Sequence, residues 1–161
     1  PIMWRTGHSL IKDKMRAENA ALAGEMSGHM FFADRYFGYD DAIYASCRLL
    51  EIISKSPIPL SHILSDVPET YTTPEIRIEC TDEDKFEIVD EIKKIFQKNH
   101  KVISIDGARI LFDRGWGLIR ASNTQPVLVL RFEAFERESL NEIKDQVMGY
   151  LKRFPSVKLP G

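Results

Sequence analysis

The chain has 161 residues, 43% of them hydrophobic, 29% charged and 10% aromatic, enough for one compact domain or two small ones with a real core, which excludes disorder and collagen-like repeats. Twenty-two Lys plus Arg against 24 Asp plus Glu leave a formal charge of −2, so no global field points to nucleic acid or to an anionic membrane, and any anion is bound locally. Charge interrupts every apolar run well before the ~18 residues that a helix needs to cross a bilayer, so no membrane partner is expected.

Pro1-Ile2-Met3-Trp4-Arg5 has no charged leader before an apolar stretch and does not read as a secretory signal. With its first Met at position 3, it reads as the middle of a longer protein. Ser9 is expected to cap a helix over residues 9–19, because Leu10, Ile11, Met15 and Leu22 recur near helical spacing; the pattern stops near Gly24. A glycine-bounded loop then leads into an apolar strand at Met30-Phe31-Phe32. Asp40 is expected to cap a second helix over residues 40–54, with Ile43, Cys47, Leu50 and Ile53 on one face. Asp41 projects about 100° away from Asp40 on a helix, which makes the pair a helix start and a poor metal clamp.

Pro57, Pro59, Pro68 and Pro74 punctuate a Ser-, Thr- and Asp-rich stretch that blocks helix and central strand alike; residues 67–74 read as a linker. Beyond it, residues 75–80 alternate as a half-buried strand, and residues 84–99 carry a helical apolar face of Phe86, Ile88, Val89, Ile92, Ile95 and Phe96. Residues 102–105 and 108–112 read as a hairpin around an Asp106-Gly107 turn. Strands over 116–121 and 127–134 flank the loop 122–126, and a last helix from Glu138 or Ser139 to about residue 153 turns Leu140, Ile143, Val147 and Leu151 inward. The expected fold class is α+β: over 75–161 a mostly antiparallel sheet covered on one face by two helices, preceded over 1–66 by an incomplete α/β domain remnant. That remnant offers one convincing strand and no partner for it. Cys47 and Cys80 lack a second Cys or a close His at metal spacing and read as reduced small hydrophobes of a cytoplasmic protein.

Two loops can carry chemistry. Arg120-Ala121-Ser122-Asn123-Thr124 combines a planar fork of donors with hydroxyls, an amide and the inward N–H groups of a turn, which suits a phosphoryl group. The same residues also read as a turn closing on itself, with Arg120 solvated. Gly24-Glu25-Met26-Ser27-Gly28-His29 is complementary to a sugar: the carboxylate accepts from neighbouring hydroxyls, Ser27 and His29 add donors and acceptors, and the glycines let the backbone approach a ring. It reads equally as a polar loop with Glu25 solvated. Thr6-Gly7-His8-Ser9 is a capping segment or a third ligand arm.

Taken together, Met3-Trp4-Arg5-Thr6-Gly7-His8-Ser9, the Gly24 to His29 loop with its following Phe-Phe, Gly115-Trp116-Gly117, and the Arg120 loop with its continuation through Pro126 to Glu133 resemble, in order and spacing, the C-terminal portion of the α-D-phosphohexomutases. The bacterial phosphomannomutase/phosphoglucomutase branch is the nearest, and the resemblance covers essentially the whole chain. It implies that residues 1–66 are the C-terminal part of a third, sugar-binding domain, in which His8, Glu25, Met26, Ser27, Gly28 and His29 line the sugar pocket. It implies that residues 75–161 are a fourth domain, in which Arg120, Ala121, Ser122, Asn123 and Thr124 hold the phosphate that is not reacting. The family interconverts hexose 1-phosphates and 6-phosphates, such as those of mannose and glucose, through a phosphoserine and a 1,6-bisphosphate, with Mg²⁺ bound in an Asp-Gly-Asp-Gly-Asp-type loop. Neither the serine loop nor the metal loop has a counterpart here, so no catalytic residue and no metal site are expected in this chain. By this reading the chain alone is inactive, its partners include the missing N-terminal domains, and its exposed truncated sheet invites self-association. A fragment of a phosphoglucosamine mutase or of a dedicated phosphoglucomutase is the enzyme alternative, and Met26 and Asn123 stand against both; a non-enzymatic phosphosugar-binding module is the other.

Overall fold

A computed structural model describes residues 1–159. They form two compact units, Pro1–Val67 and a second beginning at Pro68.

The first unit opens with helix α1, His8–Glu18, then strands β1, Leu22–Gly24, and β2, Met30–Phe32, helix α2, Ala42–Lys55, and a 3₁₀ turn at Leu60–His62. Helix α1 starts after Gly7 and takes in Ser9, which caps nothing. It ends at Asn19, whose left-handed backbone (φ 50°) turns the chain and returns N–H groups to the last carbonyls. The chain is then free to pair: β1 and β2 form an antiparallel hairpin with Leu22 opposite Phe32 and Gly24 opposite Met30. The strand at Met30–Phe32 therefore has a partner, and Leu22 belongs to it rather than to the helix. Ile11, Met15 and the fully buried Phe31 make this unit's small core.

Helix α2 is capped by Asp41, not by Asp40. Asp41 Oδ1 accepts the Tyr44 N–H at 2.9 Å, while its other oxygen receives the Tyr36 hydroxyl at 2.5 Å, and Tyr36 stacks on Tyr44 at 3.8 Å. This aromatic brace makes residue 41 the first capping position, and Asp40 is left outside the helix for another task.

The second unit contains β3, Tyr71–Thr72; β4, Ile76–Glu79; α3, Lys85–Phe96; β5, Lys101–Ile103; β6, Ala108–Phe112; β7, Gly115–Ala121; β8, Val127–Ala134; and α4, Arg137–Leu151. All pairings are antiparallel, in the order β3-β8-β7-β6-β5, with β4 sharing the outer edge of β8. The stretch read as a linker thus contributes β3, paired through Tyr71 with Ala134. The turn between β5 and β6 is also wider than two residues, since Ile103 pairs with Arg109. Period-two alternation sends Ile119, Leu128, Leu130 and Phe132 to one face, where Ile92 and Phe96 of α3 and Ile143, Val147 and Leu151 of α4 complete one core. The other face carries Arg77, Arg109, Arg120 and Arg131 and has no helix against it within this unit.

Candidate functional site

In the first unit, the β1–β2 turn is closed by the Gly28 N–H donating to the Glu25 carbonyl at 3.0 Å and the Glu25 N–H to the His29 carbonyl at 2.9 Å. Gly28 takes φ 95° with nothing near the position of a Cβ, so backbone rather than side chain faces the solvent there. Glu25 is not loose: Oε1 accepts the Gly7 N–H at 3.0 Å and Oε2 the Ser27 hydroxyl at 3.1 Å. Of Thr6-Gly7-His8-Ser9, Gly7 and His8 lie against the turn, because the Glu25 carboxylate ties the start of α1 to it. Met26 and Ser27 lie exposed at the tip.

Asp40 organises the imidazoles. Its Oδ2 lies 2.6 Å from His29 Nδ1 and 3.9 Å from His8 Nε2, and Oδ1 accepts the Met30 N–H at 3.1 Å. The hydrogen bond from His29, against the partial desolvation of the carboxyl and with help from the Met30 N–H, holds Asp40 below the usual carboxylate range. An ionised carboxylate only accepts, so His29 carries its proton on Nδ1 and presents Nε2 outward. The His8 and His29 rings meet edge to face at 4.6 Å, and His8 rests its other side on Phe31 at 5.3 Å. His8, Glu25 and His29 are brought to one place; Asp40 was not among the residues that sequence alone singled out for it. Its signal was the Asp-Asp pair, of which a helix cap needs only one member.

In the second unit, Arg120 and Ala121 are the last residues of β7, and only Ser122, Asn123 and Thr124 are turn. The Ser122 hydroxyl accepts from the N–H groups of Thr124 at 3.4 Å and Gln125 at 3.2 Å, and the Ser122 N–H donates to Val127 at 3.0 Å. Ser122 is therefore partly the self-closing turn residue that the sequence allowed, with its own O–H still able to donate. Among the described residues the Asn123 N–H, the Thr124 hydroxyl and the Arg120 guanidinium make no hydrogen bond or ion pair. Arg120 is half-buried on the helix-free face of the sheet, so an unpaired cation and an unspent N–H sit at the same strand end.

Two supports of this turn carry no motif. Lys85 is 4% exposed and donates to Asp82 Oδ1 at 2.6 Å and to the Gln125 carbonyl at 3.1 Å, and the Cys80 N–H donates to the Pro126 carbonyl at 3.0 Å. On the other side Gly107, at φ 80°, passes so close to β7 that a Cβ would stand 2.3 Å from the Ile119 carbonyl oxygen and 2.8 Å from Arg120 Cα.

The sequences of both units match one family. Residues 75–149 match the family described as phosphoglucomutase/phosphomannomutase, C-terminal domain, and residues 1–71 match its alpha/beta/alpha domain III. The chain belongs to the α-D-phosphohexomutases. It is 49% identical over 157 residues to a phosphomannomutase/phosphoglucomutase of Pseudomonas aeruginosa, covering 97% of this chain and 34% of that protein. It is 44% identical over 162 residues to a phosphoglucomutase of Neisseria meningitidis, covering 99% and 35%. A crystal structure of a phosphoglucomutase/phosphomannomutase family protein from Burkholderia thailandensis superposes with a TM-score of 0.86 at 42% identity, over 100% of this chain and 34% of that one. The chain thus spans about a third of the length of these phosphohexomutases. No helix among the described residues is long and apolar enough to cross a membrane.

Among the described residues, the one grouping of three or more metal-type donors is His8, Glu25 and His29. Two imidazoles and one carboxylate are a poor match for Mg²⁺, which takes oxygen ligands.

Proposed function

We propose that this chain is the substrate-recognition part of a phosphomannomutase/phosphoglucomutase. The observation that carries the reading is Arg120: a cation without a partner among the described residues, beside the unspent Asn123 N–H, at the end of a strand paired on both sides. A phosphate oxygen accepting from the guanidinium fork, the Asn123 N–H and the Thr124 and Ser122 hydroxyls would satisfy all of them at once. Glu25, tied to Gly7 and Ser27, is supported as the group that reads vicinal hydroxyls of a hexose, with His8 and His29 beside it and Met26 and Gly28 forming the exposed rim. The Arg120 turn suits a non-reacting phosphate and the Glu25 turn suits hexose hydroxyls, and each by itself tolerates either orientation of a hexose 1-phosphate or 6-phosphate.

The chemistry itself is assigned to the rest of the longer protein. There a phosphoserine gives its phosphoryl group to the sugar hydroxyl, the 1,6-bisphosphate turns over, and the other phosphoryl group returns to the serine, so that one phosphate leaves for each one gained. Mg²⁺ belongs with that serine, on oxygen ligands outside this chain. The isolated chain binds and does not turn over, its natural partners are the preceding domains, and the complete enzyme works in the cytoplasm on mannose and glucose phosphates.

Titrating the 161-residue chain with mannose 1-phosphate at millimolar concentrations tests the reading by amide chemical shifts. Shifts at Asn123, Thr124 and residues 25–29 are expected. Arg120→Ala is expected to weaken binding by about 1.5–3 kcal/mol, as for losing hydrogen bonds to a charged group. Shifts confined to other regions would overturn the anion-loop assignment. In the complete enzyme, a coupled assay that shows preference for glucosamine 1-phosphate over both mannose and glucose 1-phosphate would overturn the substrate assignment.

A further inference from the structure

We propose that His8, Glu25 and His29 form a binding site for a borderline transition-metal dication, with Zn²⁺ as the reference ion. One ligand atom from each residue, an imidazole nitrogen or a carboxylate oxygen, lies within 4.8 Å of the other two. They converge because Glu25 Oε1 pins the start of α1 at Gly7, which brings His8 against the β1–β2 turn. Two imidazoles and a carboxylate, with a fourth position open, are the donor set of zinc sites that retain a water or a substrate oxygen. Nitrogen donors discriminate against Mg²⁺ and Ca²⁺.

The supporting contacts are those that metal sites use. Asp40 Oδ2 accepts a hydrogen bond from His29 Nδ1–H at 2.6 Å and leaves the Nε2 lone pair for a cation; a carboxylate behind a histidine fixes its tautomer and raises its basicity. Asp40 is itself held by the Met30 N–H at 3.1 Å. Glu25 keeps lone pairs on both oxygens after accepting from Gly7 and Ser27. Tetrahedral zinc requires its ligand atoms roughly 3.3 Å apart, from bonds of about 2.0–2.1 Å. The His8 and His29 side chains are 49% and 44% exposed, so each has room to turn towards an ion. The inference stands whether or not a sugar is the natural occupant of the turn.

The test is calorimetric titration of the chain with ZnCl₂ in a non-coordinating buffer, with amide spectra recorded alongside. One ion per chain is expected, with shifts at residues 7–8 and 25–30. Binding is expected to be lost in H8Q and H29Q, to weaken about tenfold or more in D40N, as for removal of a carboxylate behind a ligating histidine, and to be unchanged in H62Q. MgCl₂ at the same concentrations is expected to give no saturable heat. Absence of saturable zinc binding, binding that survives both H8Q and H29Q, shifts centred on His62 or His100, or equal binding of magnesium would each overturn the proposal. Should H29Q disturb the fold of the first unit, the site of the shifts in the unsubstituted chain decides.

Discussion

Lys85 places an ammonium group where only 4% of the residue meets solvent, and it is held there by Asp82 and by the Gln125 carbonyl at the far end of the turn that follows β7. A buried charge without partners costs far more than a hydrogen bond returns, so the lysine is informative about what it fixes: the carbonyl that ends the turn. Lys85→Met keeps most of the packing volume and leaves the Gln125 carbonyl with the Val127 N–H as its remaining donor. We expect a loss of about 1–3 kcal/mol in stability, read by urea unfolding, with the Asn123 and Thr124 amides broadened or displaced. An unchanged loop spectrum would mean that Lys85 supports α3 alone. In the first unit Glu51 is held down to about 2, first by its hydrogen bond from Arg35 and then by Lys55. Its folded value lies below the unfolded 4.5, so the pairing stabilises fully above pH 4.5 and the benefit fades as the pH falls towards 2. The gap in unfolding midpoint between the wild-type chain and Glu51→Gln should therefore be open at pH 7 and closed at pH 2; a gap independent of pH would remove the ion pair as its cause.

At the scale of elements, the β5–β6 turn does more than reverse the chain. Gly107 combines φ 80° with an approach to β7 that leaves no room for a Cβ, so the turn lies directly against the backbone of Ile119 and Arg120. Gly107→Ala meets both obstacles, strain of about 1–3 kcal/mol from the backbone alone and a clash with an atom that cannot rotate away. The measurable consequence is a lower melting temperature together with weaker phosphosugar binding, because the displaced strand end carries Arg120. If the stability falls while affinity stays, the turn is structural only. The sheet around it was legible from residues 116–121 and 127–134, because alternation over six to eight residues fits no helix, and so were α3 and α4 from their apolar stripes. β1 was not legible: Leu22-Ala23-Gly24 is too short to alternate, Leu22 falls seven residues after Met15 as on a helix, and the break comes from Asn19 adopting a conformation that glycine usually signals. β3 was hidden behind prolines that prevent long strands but not a two-residue one beside an edge. Of the candidate site, the two loops were legible as residue types. The roles of Asp40 and Lys85 were not, since each depends on a partner that only folding brings near.

Across the whole chain the two units differ in how much they bury. The second unit closes a core that joins both its helices to five strands, whereas the first buries Ile11, Met15 and Phe31 and no residue of α2. Helix α2 nevertheless carries Ile43, Leu49, Leu50 and Ile52, with Ile43 80% and Leu50 64% exposed, and a cavity of about 600 Å³ lies along it between Phe32, Leu49 and Ile52. A helix with that composition normally gains its stability from packing, since propensity alone rarely sustains fourteen residues in water. In the isolated chain the face is left to a second copy, and burying it is worth roughly 25 cal/mol per Å² of apolar area before the cost of association. Sedimentation velocity should therefore show association that grows with concentration, and Ile43→Glu with Leu50→Glu, both on solvent-exposed positions, should return the chain to a monomer while leaving the amide spectrum of the second unit in place. Hydrogen exchange gives the matching readout: amides of α2 should exchange well before those of β7 and β8, and the difference should narrow as concentration rises and α2 is covered. Uniform protection across both units at micromolar concentration would mean that the first unit is stable without any cover, and that the exposed apolar stripe of α2 is not where this chain finds a partner.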